Sequence, residues 1–298
     1  MPEARRGYKQ VALFGVDSTE GELDKNTRTD TIIIAVIDLD TKDIKLCSVY
    51  RDTFLNLGND SYSKCNAAYA KGGPEQAINM LNMNLDLNIT DYVTVGFTGL
   101  AEVIDALGGI EIDVSEEEIV HLNNYQISMV GKSDDGEQFY ATEGKDYTAV
   151  THSGLQKLNG LQATAYCRIR YVGNDFKRAE RQRTVIAKCL EKAKQSSASE
   201  LTAAYNKVTS YISTSLDSSE IIDLFSNVTK YSIVASDGFP FETNRDTGTV
   251  GSKGSCVIPV DLETNVIMLQ EFLFDNKNYE PSEQVKTYSQ KVKSDTGR

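Results

Sequence analysis

Apolar and polar positions alternate in two rhythms along this chain, and each rhythm predicts a different kind of element. Residues 11–15 form a short apolar run ending at Asp17, the pattern of a buried strand that feeds a polar loop over 18–29. Residues 32–37 are continuous and β-branched, as in a strand buried on both faces. A turn-rich stretch at 38–43 follows, and 44–50 reads as the returning arm of a hairpin. Pro74 stands at a favoured first helical position, with Ala77, Ile78, Leu81 and Leu85 behind it at helical spacing. Residues 92–97 predict a strand, 99–107 a helix stopped by Gly108 and Gly109, and 110–114 a half-buried strand. The polar, glutamate-rich stretch 115–154 reads as an excursion on one edge. Further on, 164–171 reads as a strand and 175–194 as a long helix. Two helical stretches at 201–212 and 218–231, a strand at 256–260 and an apolar helix at 265–274 complete the pattern. Interleaved strands and helices without an obvious linker predict an α/β fold with helices on both faces of a sheet. The expected organisation is a tether remnant over 1–8, a single domain over 9–277 and a polar, mobile tail over 278–298.

Composition narrows the function classes. With 298 residues, 40% hydrophobic and 25% charged, the chain is ordinary globular material and long enough to bury a core without disulfide or metal staples. Its net charge of −12 opposes a general nucleic-acid binder, which needs a broad cationic surface. The longest purely apolar run, 32–37, is far shorter than the ~20 residues of a membrane-spanning helix. Basic residues near Met1 are followed by no apolar stretch, so no secretory signal is present. The strand pattern begins abruptly near Tyr8, as in the soluble part of an anchored protein. Five cysteines without a Cys-x-x-Cys pair, and only two histidines, oppose a zinc site. Cys47, Cys167 and Cys189 read as small buried hydrophobes.

Arginine placement carries the chemistry. Of eleven arginines, five (Arg168, Arg170, Arg178, Arg181, Arg183) lie within sixteen residues of an acidic protein. If 164–171 is a strand, Arg168 and Arg170 share one face. Two guanidinium groups side by side become favourable when an anion bridges them, and their forks match phosphate oxygens. The alternative is an edge strand with both arginines solvated. On the following helix Asp175, Arg178 and Gln182 share a stripe that continues into Ile186 and Cys189. A polar first turn running into apolar later turns fits a helix that starts at a pocket and ends on a core, although Asp175 and Arg178 also suit a plain surface pair. In the N-terminal half, Asp17 follows one strand and Asp30 precedes the next, so neighbouring strands bring both to one sheet edge. Two carboxylates beside phosphate suit Mg²⁺, and Arg51 lies at the end of another strand, where ligands of open α/β sheets collect.

Nine ordered motifs then resemble one family. They are Leu-Phe-Gly-Val-Asp (13–17), Arg-Thr-Asp-Thr (28–31), Tyr-Arg-Asp-Thr (50–53), Lys-Cys-Asn-Ala-Ala-Tyr (64–69) and Gly-Gly-Pro-Glu (72–75), followed by Asp-Ala-Leu-Gly-Gly-Ile (105–110), Leu-Asn-Gly-Leu-Gln-Ala (158–163), Tyr-Cys-Arg-Ile-Arg (166–170) and Asp-Phe-Lys-Arg-Ala-Glu-Arg-Gln (175–182). Together they resemble the LytR–CpsA–Psr family from about Val11 to Lys194, with a looser match beyond. The resemblance implies a three-layer α/β/α sandwich with a central mixed sheet and an apolar groove for a lipid. It implies a single-pass membrane anchor preceding the chain, a catalytic domain on the extracellular face, and transfer of a glycopolymer (wall teichoic acid or capsular polysaccharide) from a polyprenyl-diphosphate carrier to peptidoglycan. The implied cofactor is Mg²⁺ or Mn²⁺ at Asp17 and Asp30. Arg28, Arg51, Lys64, Arg168, Arg170 and Arg178, with Asp175 and Gln182, are implied to hold the diphosphate, and Arg51, Asp30, Arg168 and Arg170 to act in catalysis. Ile78, Leu81, Leu85, Val93, Val95, Val103, Ile104 and Ile186 are candidates for the lipid lining, or else ordinary core. Three departures stand out. Ser18-Thr19-Glu20 replaces an arginine that the family often carries after its first aspartate, Tyr50 replaces a usual proline, and Cys65 replaces a usual aliphatic residue.

Chemically, charge on the phosphoryl oxygens and on the leaving phosphate must be stabilised, which arginines and a divalent cation do electrostatically. The step that the resemblance leads us to expect is attack of a peptidoglycan sugar hydroxyl on the phosphorus next to the glycopolymer, expelling polyprenyl phosphate, with Asp30 or Asp17 as proton acceptor. A polyprenyl-diphosphate pyrophosphatase and a non-catalytic polyprenyl-phosphate receptor are the alternatives. A transcription regulator is opposed by the charge and by the lack of a basic recognition helix.

Overall fold

The computed structural model describes residues 7–17, 23, 27–131 and 140–298. In chain order its strands are β1 (Tyr8–Val16), β2 (Thr29–Asp38), β3 (Asp43–Val49), β4 (Phe54–Asn56), β5 (Tyr62–Lys64), β6 (Asp91–Gly96), β7 (Ile110–Val114), β8 (Gly154–Leu158), β9 (Ile212–Thr214), β10 (Ser232–Phe239), β11 (Arg245–Thr249) and β12 (Ser255–Pro259). Its helices are α1 (Ala67–Leu85), α2 (Phe97–Ala106), α3 (Glu116–Val130), α4 (Gly160–Arg168), α5 (Asp175–Ala193), α6 (Ala198–Val208), α7 (Ser218–Ser226), α8 (Leu262–Phe274) and α9 (Glu283–Thr296). The expected α/β class with a central mixed sheet holds. The chain divides into two compact units, one of residues 1–96, 212–217 and 230–298, the other of 97–211 and 218–229.

The first unit is built on a six-stranded sheet in the order β10-β3-β2-β1-β6-β9. β1 pairs antiparallel with β2 from Tyr8↔Asp38 to Val16↔Thr29, with a register slip between Gly15 and Val16, and parallel with β6. β2 is the predicted central strand, and Ile32, Ile33 and Ile34 are buried although successive side chains point to opposite faces. Its hairpin to β3 is set by Asp38, whose carboxylate accepts the N–H groups of Asp40 and Thr41. α1 is broken at Gly72 and Gly73, the latter at φ 67°, and resumes at Pro74 as the sequence predicts. Its later turns put Ile78, Met80, Leu81 and Leu85 into one apolar core with Phe14, Ile32 and Ile34 from the sheet and Leu269 and Leu273 from α8.

The C-terminal segment departs from expectation. Residues 278–298 are not a mobile tail, because α9 places Val285, Tyr288 and Val292 in the same core. These three recur at helical spacing, an apolar stripe narrow enough to be missed in a segment otherwise rich in Lys, Ser and Gln. Asp86, at the left-handed cap of α1, anchors the approach to α9 by accepting the Tyr279 hydroxyl and both the N–H and hydroxyl of Ser282.

The second unit packs α2, α3, α4 and α5 around the antiparallel β7–β8 pair, with Ile104, Ile112, Leu122, Ala165, Ile169 and Val185 in a separate core. Gly160, at the start of α4, lies so close to α2 that a Cβ there would sit 2.0 Å from the Ala101 carbonyl oxygen. One expectation fails here. Residues 164–171 are not a strand: 160–168 is helix α4, opened by a capping box in which Asn159 and Gln162 satisfy each other's backbone N–H groups. A short apolar run does not distinguish helix from strand, and the cap upstream decides it. The stretch read as an edge excursion contains α3, whose Ser115–Glu118 capping box and three first-turn glutamates suit a helix N-terminus.

Asp261 ties α8 to α9, accepting from Thr264 N–H, the Ser289 hydroxyl and Lys293 Nζ. Partial burial pushes its carboxyl up, but Lys293 and the hydrogen bonds from Thr264 and Ser289 outweigh that and hold it below the usual aspartate range. A depressed folded value stabilises above the unfolded pKa, and the gain is lost as pH falls through the folded one. Asp261→Asn should therefore lower the thermal unfolding midpoint by about 1–4 °C at neutral pH. The gap to wild type should close as the pH of the melts drops below about 4.

Candidate active site

In the first unit the site grows from the ends of β1, β2 and β3. The β1–β2 register brings Asp17 and Asp30 to one end of the sheet; Asp17 is exposed beyond β1, and Asp30 is half-buried on β2. The Asp17 N–H donates to the Arg28 carbonyl at 3.5 Å, and the Thr27 hydroxyl donates to the Asp17 carbonyl at 3.2 Å, which closes the strand ends together. Arg28 itself is exposed.

Arg51 turns the corner after β3. Its Nη1 donates to Asp30 Oδ1 at 2.5 Å and its Nε stands 3.8 Å from Asp52, while Lys64 at the end of β5 reaches Asp52 at 3.2 Å. Cation and carboxylate thus alternate along Asp30, Arg51, Asp52 and Lys64. The corner's backbone is fixed independently. The Thr53 hydroxyl donates to the Tyr50 carbonyl, Asn66 N–H donates to the Arg51 carbonyl, and Val257 N–H donates to the Asp52 carbonyl. Cys65 completes it, its thiol donating to the carbonyls of Tyr50 and Arg51 at 3.2 and 3.3 Å. Burial pushes that thiol's pKa far up, so it stays protonated and remains a donor. An aliphatic residue at 65 could not supply this bond. Tyr50 is buried, its hydroxyl accepts from Arg245 Nη1 at 3.0 Å, and the Arg245 guanidinium lies 5.2 Å from its ring centroid. Only glycine at 238 leaves room for that ring, since a Cβ would sit 2.0 Å from the Tyr50 hydroxyl.

In the second unit the arginines are arranged differently from the sequence expectation. Arg168 is the last residue of α4, with its guanidinium carbon 4.2 Å from the Phe97 ring centroid and 5.3 Å from that of Tyr125. Arg170 lies past the helix end and is exposed, so the two do not share a strand face. The α5 stripe is present. Asn174 caps the helix by accepting from Phe176 and Lys177 N–H, Asp175 pairs with the buried Arg178 at 3.2 Å, and Gln182 is buried one turn on. Sequence reasoning counts Arg181 in the arginine cluster but gives it no role; it is buried and pairs with Glu118 at 2.6 Å. The Ser115-x-x-Glu118 capping signature was the available signal for Glu118.

The lipid candidates divide. Ile78, Leu81 and Leu85 belong to the first unit's packed core and Ile104 to the second's, which is the ordinary-core reading of those positions. Val93 and Val95 are half-buried on one face of β6, whose opposite face buries Thr94 and Gly96. Val103 and Ile186 are half-buried in the second unit. The departure at Ser18–Glu20 lies outside the described residues.

A guanidinium already oriented by two carboxylates, as Arg51 is, meets an incoming anion with little reorganisation, and this is the arrangement that electrostatic stabilisation of phosphoryl groups uses. Comparison with known proteins shows what the chain is similar to. A polyisoprenyl-teichoic acid–peptidoglycan teichoic acid transferase, TagU of Enterococcus faecalis, is 32% identical over 185 residues, covering 61% of this chain and 52% of the relative. The chain therefore spans about half the length of that relative. Among solved structures, TagT bound to LI-WTA superposes with a TM-score of 0.68 at 20% identity, covering 90% of this chain and 91% of the other, which shows the shared fold. A LytR-CPS2A-psr family protein, YwtF (TagT), with bound octaprenyl pyrophosphate lipid, superposes with a TM-score of 0.63 at 20% identity over 90% of this chain and 91% of that one. The LytR_cpsA_psr family model matches residues 2–254, and the chain belongs to that family.

Proposed function

We propose that this chain is the catalytic part of a phosphotransferase that moves a glycopolymer from a polyprenyl-diphosphate carrier to peptidoglycan and releases polyprenyl phosphate. The observation that carries the reading is the Asp30–Arg51–Asp52–Lys64 network, which holds a guanidinium and an ammonium between two carboxylates at the sheet end. The family, a relative named as a teichoic acid transferase and a structural neighbour that holds octaprenyl pyrophosphate support it. The reading places the work at the outer face of the cell membrane, on a protein held there by an anchor. Among the described residues no helix is long and apolar enough to cross a membrane.

Each side chain then has a task. Arg51 neutralises phosphoryl oxygen as charge builds, while Asp30 and Asp52 keep its fork in place. Lys64 adds a point charge, and the exposed Arg28 adds a second guanidinium. Arg168, Arg170 and Arg178 are assigned to the diphosphate oxygens, with Asp175 and Gln182 orienting Arg178 and its neighbours. Asp30 or Asp17 accepts the proton of the attacking sugar hydroxyl, which breaks the phosphoanhydride at the phosphorus bearing the glycopolymer. Val93 and Val95 on β6 and, in the second unit, Val103 and Ile186 are the half-buried lining candidates that belong to neither core.

Mg²⁺ or Mn²⁺ fits the donor set at Asp17 and Asp30. Among the described residues no three His, Cys, Asp or Glu side chains cluster to cage a metal alone, and Mg²⁺ characteristically binds one or two carboxylates together with phosphate oxygens. When bound, the cation would add charge stabilisation at the diphosphate.

With a synthetic polyprenyl-diphosphate glycan and peptidoglycan oligomers, Arg51→Ala should lower kcat/KM by about 10²–10³. Arg51→Lys should rescue little of it, because a point charge does not replace the fork. Full activity in Arg51→Ala would overturn the assignment, and rapid phosphate release without peptidoglycan would favour a hydrolase. Mn²⁺ titrated in the presence of polyprenyl diphosphate and followed by electron paramagnetic resonance should bind wild type, with affinity reduced about tenfold or more in Asp17→Asn. Unchanged affinity would remove Asp17 from the metal site.

A further inference from the structure

The corner that follows α4 is built with unusual care for a loop. Arg181 is 7% exposed, and it spends its donors on three partners: Glu118 Oε1 at 2.6 Å, the Ile169 carbonyl at 3.1 Å and the Val172 carbonyl at 2.7 Å. Burying an ion pair is costly unless its remaining donors are satisfied, and here they are satisfied by two loop carbonyls that would otherwise lack a partner. Glu118 is fixed in turn, because its second oxygen accepts the Ser115 N–H at the start of α3. The clamp grips the carbonyls of 169 and 172, and the two residues between them face outward. Arg170 is exposed, and Tyr171 is 77% exposed. Gly173, at φ 83°, then turns the chain into the α5 cap in a conformation that side-chain-bearing residues rarely adopt.

Tyr171 is also backed. Its ring stacks on His121 with centroids 5.2 Å apart and planes 25° apart. His121 lies three residues after Glu118, so one face of α3 holds the corner's backbone through a carboxylate and its displayed ring through an imidazole. A large aromatic covered on one side by an imidazole and open on the other offers a flat apolar face to a ligand. What it fits is set by its neighbour. An exposed guanidinium one residue away suits a phosphate oxygen, and a flat ring beside it suits the C–H face of a pyranose.

We propose that residues 169–172 form a clamped recognition corner for a glycosyl phosphate, in which Tyr171 stacks on the sugar ring next to the phosphate met by Arg170, His121 backs the stack, and Arg181 and Glu118 are positioning residues. The proposal rests on the functional reading above and adds to it the residue that senses the first sugar.

The test compares two probes in detergent, a bare polyprenyl diphosphate and the same lipid carrying one N-acetylhexosamine, by titration calorimetry. Tyr171→Ala should weaken the sugar-bearing lipid by about three- to tenfold, while Tyr171→Phe retains it. The bare lipid should stay within about twofold of wild type in both variants. Arg181→Lys should weaken both probes, and its extra loss on the sugar-bearing one should vanish in the Tyr171→Ala background, a coupling that a general loss of stability does not produce. Glu118→Gln, which keeps the cap acceptor and removes the charge, gives the same pattern where Arg181→Lys fails to fold. Equal weakening of both probes by Tyr171→Ala, or of neither, overturns the proposal. If wild type binds neither lipid, the functional reading falls and this inference falls with it.

Discussion

A guanidinium cannot be neutralised by losing its proton, so wherever a fold takes one out of water it must bring negative charge or carbonyl oxygen to meet it. That requirement organises both units, and the degree of burial decides what each arginine can do. Arg51 keeps about a fifth of its side chain open and sits between Asp30 and Asp52. That pair is more open to water than the one in the second unit, so an arriving phosphate can reach the fork. Arg181 and Glu118 are both under a tenth exposed. Breaking a pair so enclosed costs ~3–5 kcal/mol, which suits a permanent fastening and not a ligand contact.

The departures around Arg51 make sense as one packing solution. A tyrosine before the arginine needs space, which Gly238 leaves, and its hydroxyl needs a partner, which Arg245 supplies. The thiol at 65 fastens the same corner from the other side. Substituting Tyr50 alone would remove one acceptor and the stacking ring from Arg245, so the three positions are coupled through one contact surface.

Much of this was legible in the sequence where one rhythm dominated. The β-branched run at 32–37, the Pro74 helix start and the Asp175–Arg178–Gln182 stripe all appear in the structure as read. Asp17 and Asp30 do come to one sheet end, because antiparallel neighbours put the close of one strand beside the start of the next. The errors arose where local signals compete. Arg168 and Arg170 were paired on an imagined strand; β-compatible Thr, Tyr, Cys and Ile at 164–169 lost to a capping box five residues upstream. The α9 stripe of Val285, Tyr288 and Val292 offered too few apolar positions to outweigh its polar neighbours. Glu118 and Arg181 are 63 residues apart, and no periodicity links partners across such a separation.

Chain order in the first unit has a consequence for biogenesis. Its sheet begins with β1 near the N-terminus, but the strands on its two edges, β9 and β10, arrive only after residue 211, and its core closes with Val292. A polypeptide emerging in N-to-C order can pair β1, β2, β3 and β6 early, but β3 and β6 then stand as open edges until β10 and β9 are delivered, and the core waits longer still for α9. Such late, long-range closure is slow and exposes unpaired β edges meanwhile. The second unit, assembled from nearer neighbours in the chain, can mature while the first is still waiting.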